Sequence, residues 1–185
     1  MSDKYVIAIG RQYGSGGKII GEKLAKELGI KFYDKELLTE AARKSGICEE
    51  MFESNDEKPT SSFLYSLVMG TYSGDSLPLN HKLFLAQFDA IRSLADQGSC
   101  VIIGRCADYA LEDYANVFSV FIDAKMEDRI ERAVEQYNID RNKPEDIINK
   151  TDKKRASYYN FYSNRKWGAV DNYNLTIDSS VLGID

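Results

Sequence analysis

This sequence is poor in several residues that announce a particular chemistry. It holds one histidine, one tryptophan, three cysteines and three prolines in 185 residues. A single histidine, His81, cannot build a histidine-rich metal site. The cysteines, Cys48, Cys100 and Cys106, contain no C-x-x-C pair, and an odd, sparse set fits a reducing compartment better than a disulfide framework. No metal site is expected from these residues. Long apolar runs are missing too. The chain passes from Met1-Ser2-Asp3-Lys4 into roughly five apolar residues, far short of a membrane span or a signal segment. A cytoplasmic protein without a membrane partner is the expectation. Charge of one sign is also lacking: the net charge of −5 gives no bulk field for nucleic acid. Any polyanion site must be a local gathering of arginine and lysine.

What is present is an ordinary globular balance, 43% hydrophobic and 29% charged residues, on a length that suits one domain over 1–185. Strand and helix signals alternate. Tyr5-Val6-Ile7-Ala8-Ile9 reads as a buried strand ended by Gly10. A helix over about 18–28 has Ile20, Leu24 and Leu28 on one face, with Gly29 as its stop. Lys31-Phe32-Tyr33-Asp34 is a short strand, followed by a helix over about 35–44. The stretch over about 45–80, with Pro59, Pro78 and scattered Gly, Ser and Asp, reads as a mobile insertion of short helices and loops. An amphipathic helix over about 80–97 carries Leu83, Phe84, Phe88, Ile91 and Leu94 on its apolar face. Cys100-Val101-Ile102-Ile103 is continuously apolar, as buried parallel strands are, and Val117–Ile122 is another strand. Helices over about 126–137 and 144–163 precede a fifth strand at Tyr173–Ile177.

Such alternation predicts a mostly parallel five-stranded sheet between helical layers, an α/β fold. Ligands of these sheets bind beyond the carboxyl ends of the strands, which points to Gly10–Lys18, Asp34, Gly104-Arg105 and Asp123. Residues 10–18 read Gly-Arg-Gln-Tyr-Gly-Ser-Gly-Gly-Lys. Gly14, Ser15, Gly16, Gly17 and Lys18 can turn several N–H groups toward one anion, aided by the helix N-terminus that follows. The pattern departs from G-x-x-x-x-G-K-[ST]. Anchored on Gly17-Lys18, Gln12 replaces the first glycine. Anchored on Gly14-Ser15-Gly16, Gly17 stands at the lysine position. In either register Ile19 lacks the hydroxyl that holds Mg²⁺. The plain alternative is a glycine-rich strand-to-helix turn with no ligand.

With these residues in place the sequence resembles the cytidylate kinase-like family. The matching segments are Arg11–Lys18, Phe32–Leu38 and Cys100–Asp108, then Phe121-Ile122-Asp123-Ala124 with Arg129 and Arg132. Asp152, Arg155, Tyr158 and Tyr159 follow, then Trp167-Gly168 and Ile177–Ser180. The resemblance implies a three-layer P-loop kinase fold, an acceptor-site insert at 45–80 and a lid-like region over about 129–166. It also implies ATP and Mg²⁺ as cofactors and phosphoryl transfer to a nucleoside monophosphate, CMP or dCMP. A helix after the fifth strand is implied as well, so the chain is expected to stop short of its natural end.

Within that reading Arg105 and Asp108, after the third strand, are expected to bind the acceptor. Asp34 is expected to orient it, or else to cap a helix. Lys35 and Glu40 stand where the family's Ser and Arg follow this aspartate, which puts cytosine recognition in doubt. Arg155 and Asp152 share one helical face and are expected either to close over the phosphates or to form a solvated helix pair. Arg132 is preferred to Arg129 as a phosphate ligand, and Arg11 or Lys18 is expected to replace the displaced loop lysine. Tyr158, Tyr159, Phe161, Tyr162 and Trp167 either stack a base or form packing, including against a second subunit, so a homodimer stays open. Two further readings remain: a nucleotide-binding regulatory protein with little turnover, and a kinase for a non-nucleotide small molecule.

Overall fold

A computed structural model of the chain describes residues 4–35 and 79–185. The expected helix over 35–44 and the insert over 45–80 lie outside these residues, apart from their outermost positions. The described elements run β1 (Val6–Arg11), α1 (Gly17–Leu28), β2 (Lys31–Tyr33), α2 (Leu79–Gln97), β3 (Cys100–Ile103), α3 (Ala107–Ala110), β4 (Val117–Asp123), α4 (Met126–Tyr137), α5 (Pro144–Ser163), β5 (Leu175–Asp178) and α6 (Ser179–Leu182).

The five strands form one sheet in the order β2-β3-β1-β4-β5, and every pairing is parallel. The α/β architecture with a parallel five-stranded sheet is therefore as expected. Alternation along the strands divides the core in two. Val6 and Ala8 of β1 with Cys100 and Ile102 of β3 pack against Ile91 and Ala95 of α2 and Ala107, Ala110 and Leu111 of the α3 region. On the other face Ile9, Val101, Ile103, Val120 and Ile122 surround Ala25 of α1. All four residues of β3 are buried, because helices cover both of its faces. That explains its unbroken apolar sequence.

Within the described residues the helix signals over 18–28, 80–97, 126–137 and 144–163 hold to within a residue or two, with Gly29 at φ 64° closing α1. Two short pieces were not anticipated, α3 and a 3₁₀ turn at Val170–Asn172, and directly after the fifth strand the chain forms the four-residue helix α6. Beside β1 the order in which the chain adds strands reverses, with β3 on one side and β4 on the other. This places the crevice at the end of β1, where the glycine loop begins.

Candidate functional site: a glycine loop between two clefts

The loop leaves β1 at Arg11 and enters α1 at Gly17. Gly14 and Gly16 both have φ 79°, a left-handed backbone that favours glycine. A Cβ at Gly14 would also lie 2.5 Å from the Arg129 carbonyl oxygen. The turn is tied internally: Ser15 N–H and Oγ both donate to the Gln12 carbonyl, at 3.3 and 2.9 Å. Among the described residues the amides of Gly14, Gly16 and Gly17 donate no hydrogen bond, as expected of donors at the start of a helix.

External ties hold the loop in place. Gln12 N–H donates to the Ile122 carbonyl at 3.0 Å, and Ala124 N–H donates to Gln12 Oε1 at 3.2 Å. Ser179, 1% exposed, donates its hydroxyl to the Ser15 carbonyl at 2.7 Å. Arg132 Nη1 donates to the Gly14 carbonyl at 3.2 Å and to Ser179 Oγ at 3.3 Å. The Tyr13 peptide is held on both sides: its N–H donates to Asp152 Oδ1 at 2.8 Å, and its carbonyl accepts from Arg129 Nε at 2.7 Å.

Two hollows adjoin the loop. One is lined by the loop itself with Lys18, Arg11, Arg155 and Tyr137. The second lies under the ends of β1 and β3. Arg11, Lys35, Arg105, Asp108 and Arg155 supply its polar lining, and Tyr158, Tyr159, Trp167 and Tyr173 its aromatic one. Arg11 and Arg155 belong to both. The Arg11 side chain passes over Gly17 and reaches Gly104 at the end of β3. Arg155 Nη1 donates to the Arg11 carbonyl at 3.2 Å, and its guanidinium lies 5.4 Å from the centre of the Tyr13 ring.

The turn after β3 is unusual. Gly104, Arg105 and Cys106 have φ of 73°, 57° and 55°, three successive left-handed residues of which only one is glycine. Such a run costs free energy. Arg105 leaves this turn with its guanidinium 5.9 Å from the centre of the Tyr158 ring. Beside it, burial pushes the Asp108 carboxyl above the ordinary range, partly opposed by the bond from Tyr159, whose hydroxyl donates to Oδ2 at 2.6 Å. Burial likewise pushes the Cys106 thiol far up, so it is no nucleophile at neutral pH. The Tyr173 hydroxyl is buried and meets no hydrogen-bond partner among the described residues. Its ring lies beside that of Tyr159, with centres 6.4 Å apart.

Of the residues singled out by sequence, Arg11, Arg105, Asp108 and Arg155 meet in the second hollow, and Gly14, Gly16, Gly17 and Lys18 border the first. Lys18 Nζ is bound to Asp34 Oδ2 at 2.8 Å. Asp34, Ser15, Arg132 and Asp152 line neither hollow. Asp152 faces Arg129 and Tyr13. The aromatic run divides: Tyr162 stacks on Phe84 of α2 at 3.9 Å, while Tyr158, Tyr159 and Trp167 wall the second hollow. Sequence reasoning missed Tyr137, Tyr173 and the grip of Arg129 on the loop. None has a local signal: the Arg129 bond to Tyr13 spans 116 residues of chain, and Tyr137 and Tyr173 meet Tyr13 and Phe121 from distant segments.

At the end of β4, burial and then the neighbouring Asp178 raise the Asp123 carboxyl. Asp178 sits opposite it in register. Among the described residues no group of three or more His, Cys, Asp or Glu side chains could hold a metal. Mg²⁺ in phosphate sites is held by one or two carboxylates together with phosphate oxygens and water; Asp34 and Asp123 are carboxylates at strand ends, and neither lines a hollow. No described helix is long and apolar enough to cross a membrane.

Comparison with known proteins agrees with this geometry. A model of the cytidylate kinase-like family matches residues 6–181. A solved structure of an uncharacterized protein from Eubacterium ventriosum is 30% identical with a TM-score of 0.71, covering 95% of this chain and 88% of that one. Shikimate kinase from Bacteroides thetaiotaomicron is 14% identical, TM-score 0.53, covering 96% and 88%. TT1252 from Thermus thermophilus is 13% identical, TM-score 0.52, covering 96% and 89%. The latter two show the fold alone. No curated protein matches. The chain belongs to the cytidylate kinase-like family, and membership supports phosphoryl transfer of the kinase type.

Proposed function

From that membership we propose that the protein transfers the γ-phosphoryl group of ATP, as its Mg²⁺ complex, in line to a nucleoside monophosphate, CMP or dCMP. One observation carries the reading: Arg11 and Arg155 line both hollows at once. Phosphoryl transfer needs little covalent chemistry from a protein. It needs two anions aligned and their charge neutralised as the phosphoryl group moves.

In this reading the amides of Gly14, Gly16 and Gly17 receive the phosphates of the donor, with Lys18 beside them. Arg105 and Lys35 hold the acceptor's phosphate in the second hollow, where an arginine fork binds two oxygens. Arg11 and Arg155, standing between, stabilise the group in transit. Tyr158 and Trp167 shield the acceptor from water. Bound Mg²⁺ supplies charge neutralisation at the phosphate oxygens. Helix α5, which bears Asp152, Arg155, Tyr158 and Tyr159, is the lid in this scheme, closing over both ligands.

One observation favours the alternative of a nucleotide binder with little turnover. Lys18 is engaged by Asp34, and Ile19 follows where a hydroxyl residue would hold the metal. ADP release with Mg²⁺ across a panel of NMPs, dNMPs and small phosphorylated or hydroxylated metabolites separates the readings. CMP or dCMP is expected to stimulate release. ATP binding without stimulation by any acceptor supports the binder, and stimulation only by a non-nucleotide overturns the cytidylate assignment.

A further inference from the structure

We propose that Asp152 and Arg129 are positioning residues that set the conformation of the phosphate loop through the Tyr13 peptide. The inference rests on the reading of that loop as the donor-phosphate site.

The Tyr13 peptide immediately precedes the Gly14–Gly17 turn. Asp152 accepts its N–H at 2.8 Å, Arg129 donates to its carbonyl at 2.7 Å, and Arg129 Nη2 pairs with Asp152 Oδ2. A single ion pair thus grips both polar groups of one residue. The side chains are 5% and 14% exposed, and neither lines a hollow. They therefore act on a ligand only through the loop. They come from different helices, Arg129 from α4 and Asp152 from α5, which pack against each other.

A buried ion pair is a poor device for stability, since an apolar pair of the same volume serves as well or better. Its use is orientation. The residue after Tyr13 is Gly14, which has no Cβ to restrain it, and the peptides on either side of Tyr13 can rotate unless something holds them. A peptide turned over would aim the following amides away from the phosphate nest. The clamp forbids that rotation. The same helix holds the other flank of the loop, since Arg155 donates to the Arg11 carbonyl. The conformation of the donor loop is thereby tied to the helix that also walls the acceptor cleft.

The test is Mg·ATP binding by calorimetry without acceptor, together with steady-state kinetics, on the wild-type chain, Asp152→Asn and Arg129→Lys. Each substitution keeps size but breaks the clamp: Asn loses the charge opposite Arg129, and Lys has no Nε donor for the Tyr13 carbonyl. Each is expected to weaken Mg·ATP binding and raise its KM by about tenfold or more, with the acceptor's KM changed far less. The double variant Asp152→Asn, Arg129→Gln leaves no unpaired buried charge and keeps a donor and an acceptor for the peptide. It is expected to recover much of the lost affinity, and it decides the matter if the single variants do not fold. Wild-type affinity in folded single variants, equal losses for ATP and acceptor, or a double variant that folds yet binds no better than the singles would each overturn the inference while leaving the kinase reading intact. No Mg·ATP binding by the wild type would overturn both.

Discussion

Arg105 occupies a backbone position that its own side chain disfavours. With φ of 57° between two other left-handed residues, it stores strain of about 1–2 kcal/mol. Glycine would relieve that strain, although it adds unfolded-state freedom worth about 0.4–1 kcal/mol and loses the contact with Tyr158. The two effects nearly offset, so Arg105→Gly is expected to keep the urea midpoint close to wild type while sharply raising the acceptor's KM. A loss of more than about 2 kcal/mol of stability, or an unchanged KM, would show that Arg105 is there for the fold. Asp108 makes a second case. Burial holds its carboxyl in the folded chain above the ordinary value of 3.8. The unfolded chain therefore releases this proton first as pH rises, and stability falls through the window from that value up through the folded one. Asp108→Asn removes the effect and can still accept from Tyr159. The variant is expected to gain on the wild type as pH is raised from about 4 to about 7. A constant difference between their urea midpoints across that range would contradict it. Arg11, Arg105 and Arg155 were legible in the sequence because strand ends and helix spacing place them. The roles of Asp152 and Arg129 were not, because their bonds to Tyr13 span 139 and 116 residues.

Among the elements, α5 makes the widest set of contacts with the site. Asp152, Arg155 and Tyr159 recur at intervals of three and four, so one face meets the loop, the Arg11 carbonyl and Asp108 in turn. Ile148 anchors its first half and is fully buried. Ile148→Ala is expected to cost about 2–5 kcal/mol, measured by chemical denaturation; a cost below about 1 kcal/mol would mean that α5 is only loosely docked. Periodicity revealed α1 and α2, and the sequence also placed α4 and this helix at their observed bounds. Periodicity could not reveal α3 or α6, since four residues complete little more than one turn and leave no repeat to read. The Ser179 hydroxyl on α6, which supports Ser15, was hidden for the same reason.

At the scale of the whole molecule, alternation of strand and helix was enough to specify a parallel sheet, though the order β2-β3-β1-β4-β5 depends on pairings between residues far apart in the chain. That order puts β1 in the middle, so its carboxyl end opens toward both hollows. Arg11 and Arg155 are then a resource held in common. Two polyanions seated side by side draw on the same pair of positive charges and repel each other, and by linkage each weakens the other's hold to the same degree. A metal ion escorting one of them brings its own countercharge and lifts the antagonism. Free ATP and its magnesium complex should thus differ in kind as well as in affinity: the first competes with the acceptor for cations, and the second leaves room for it.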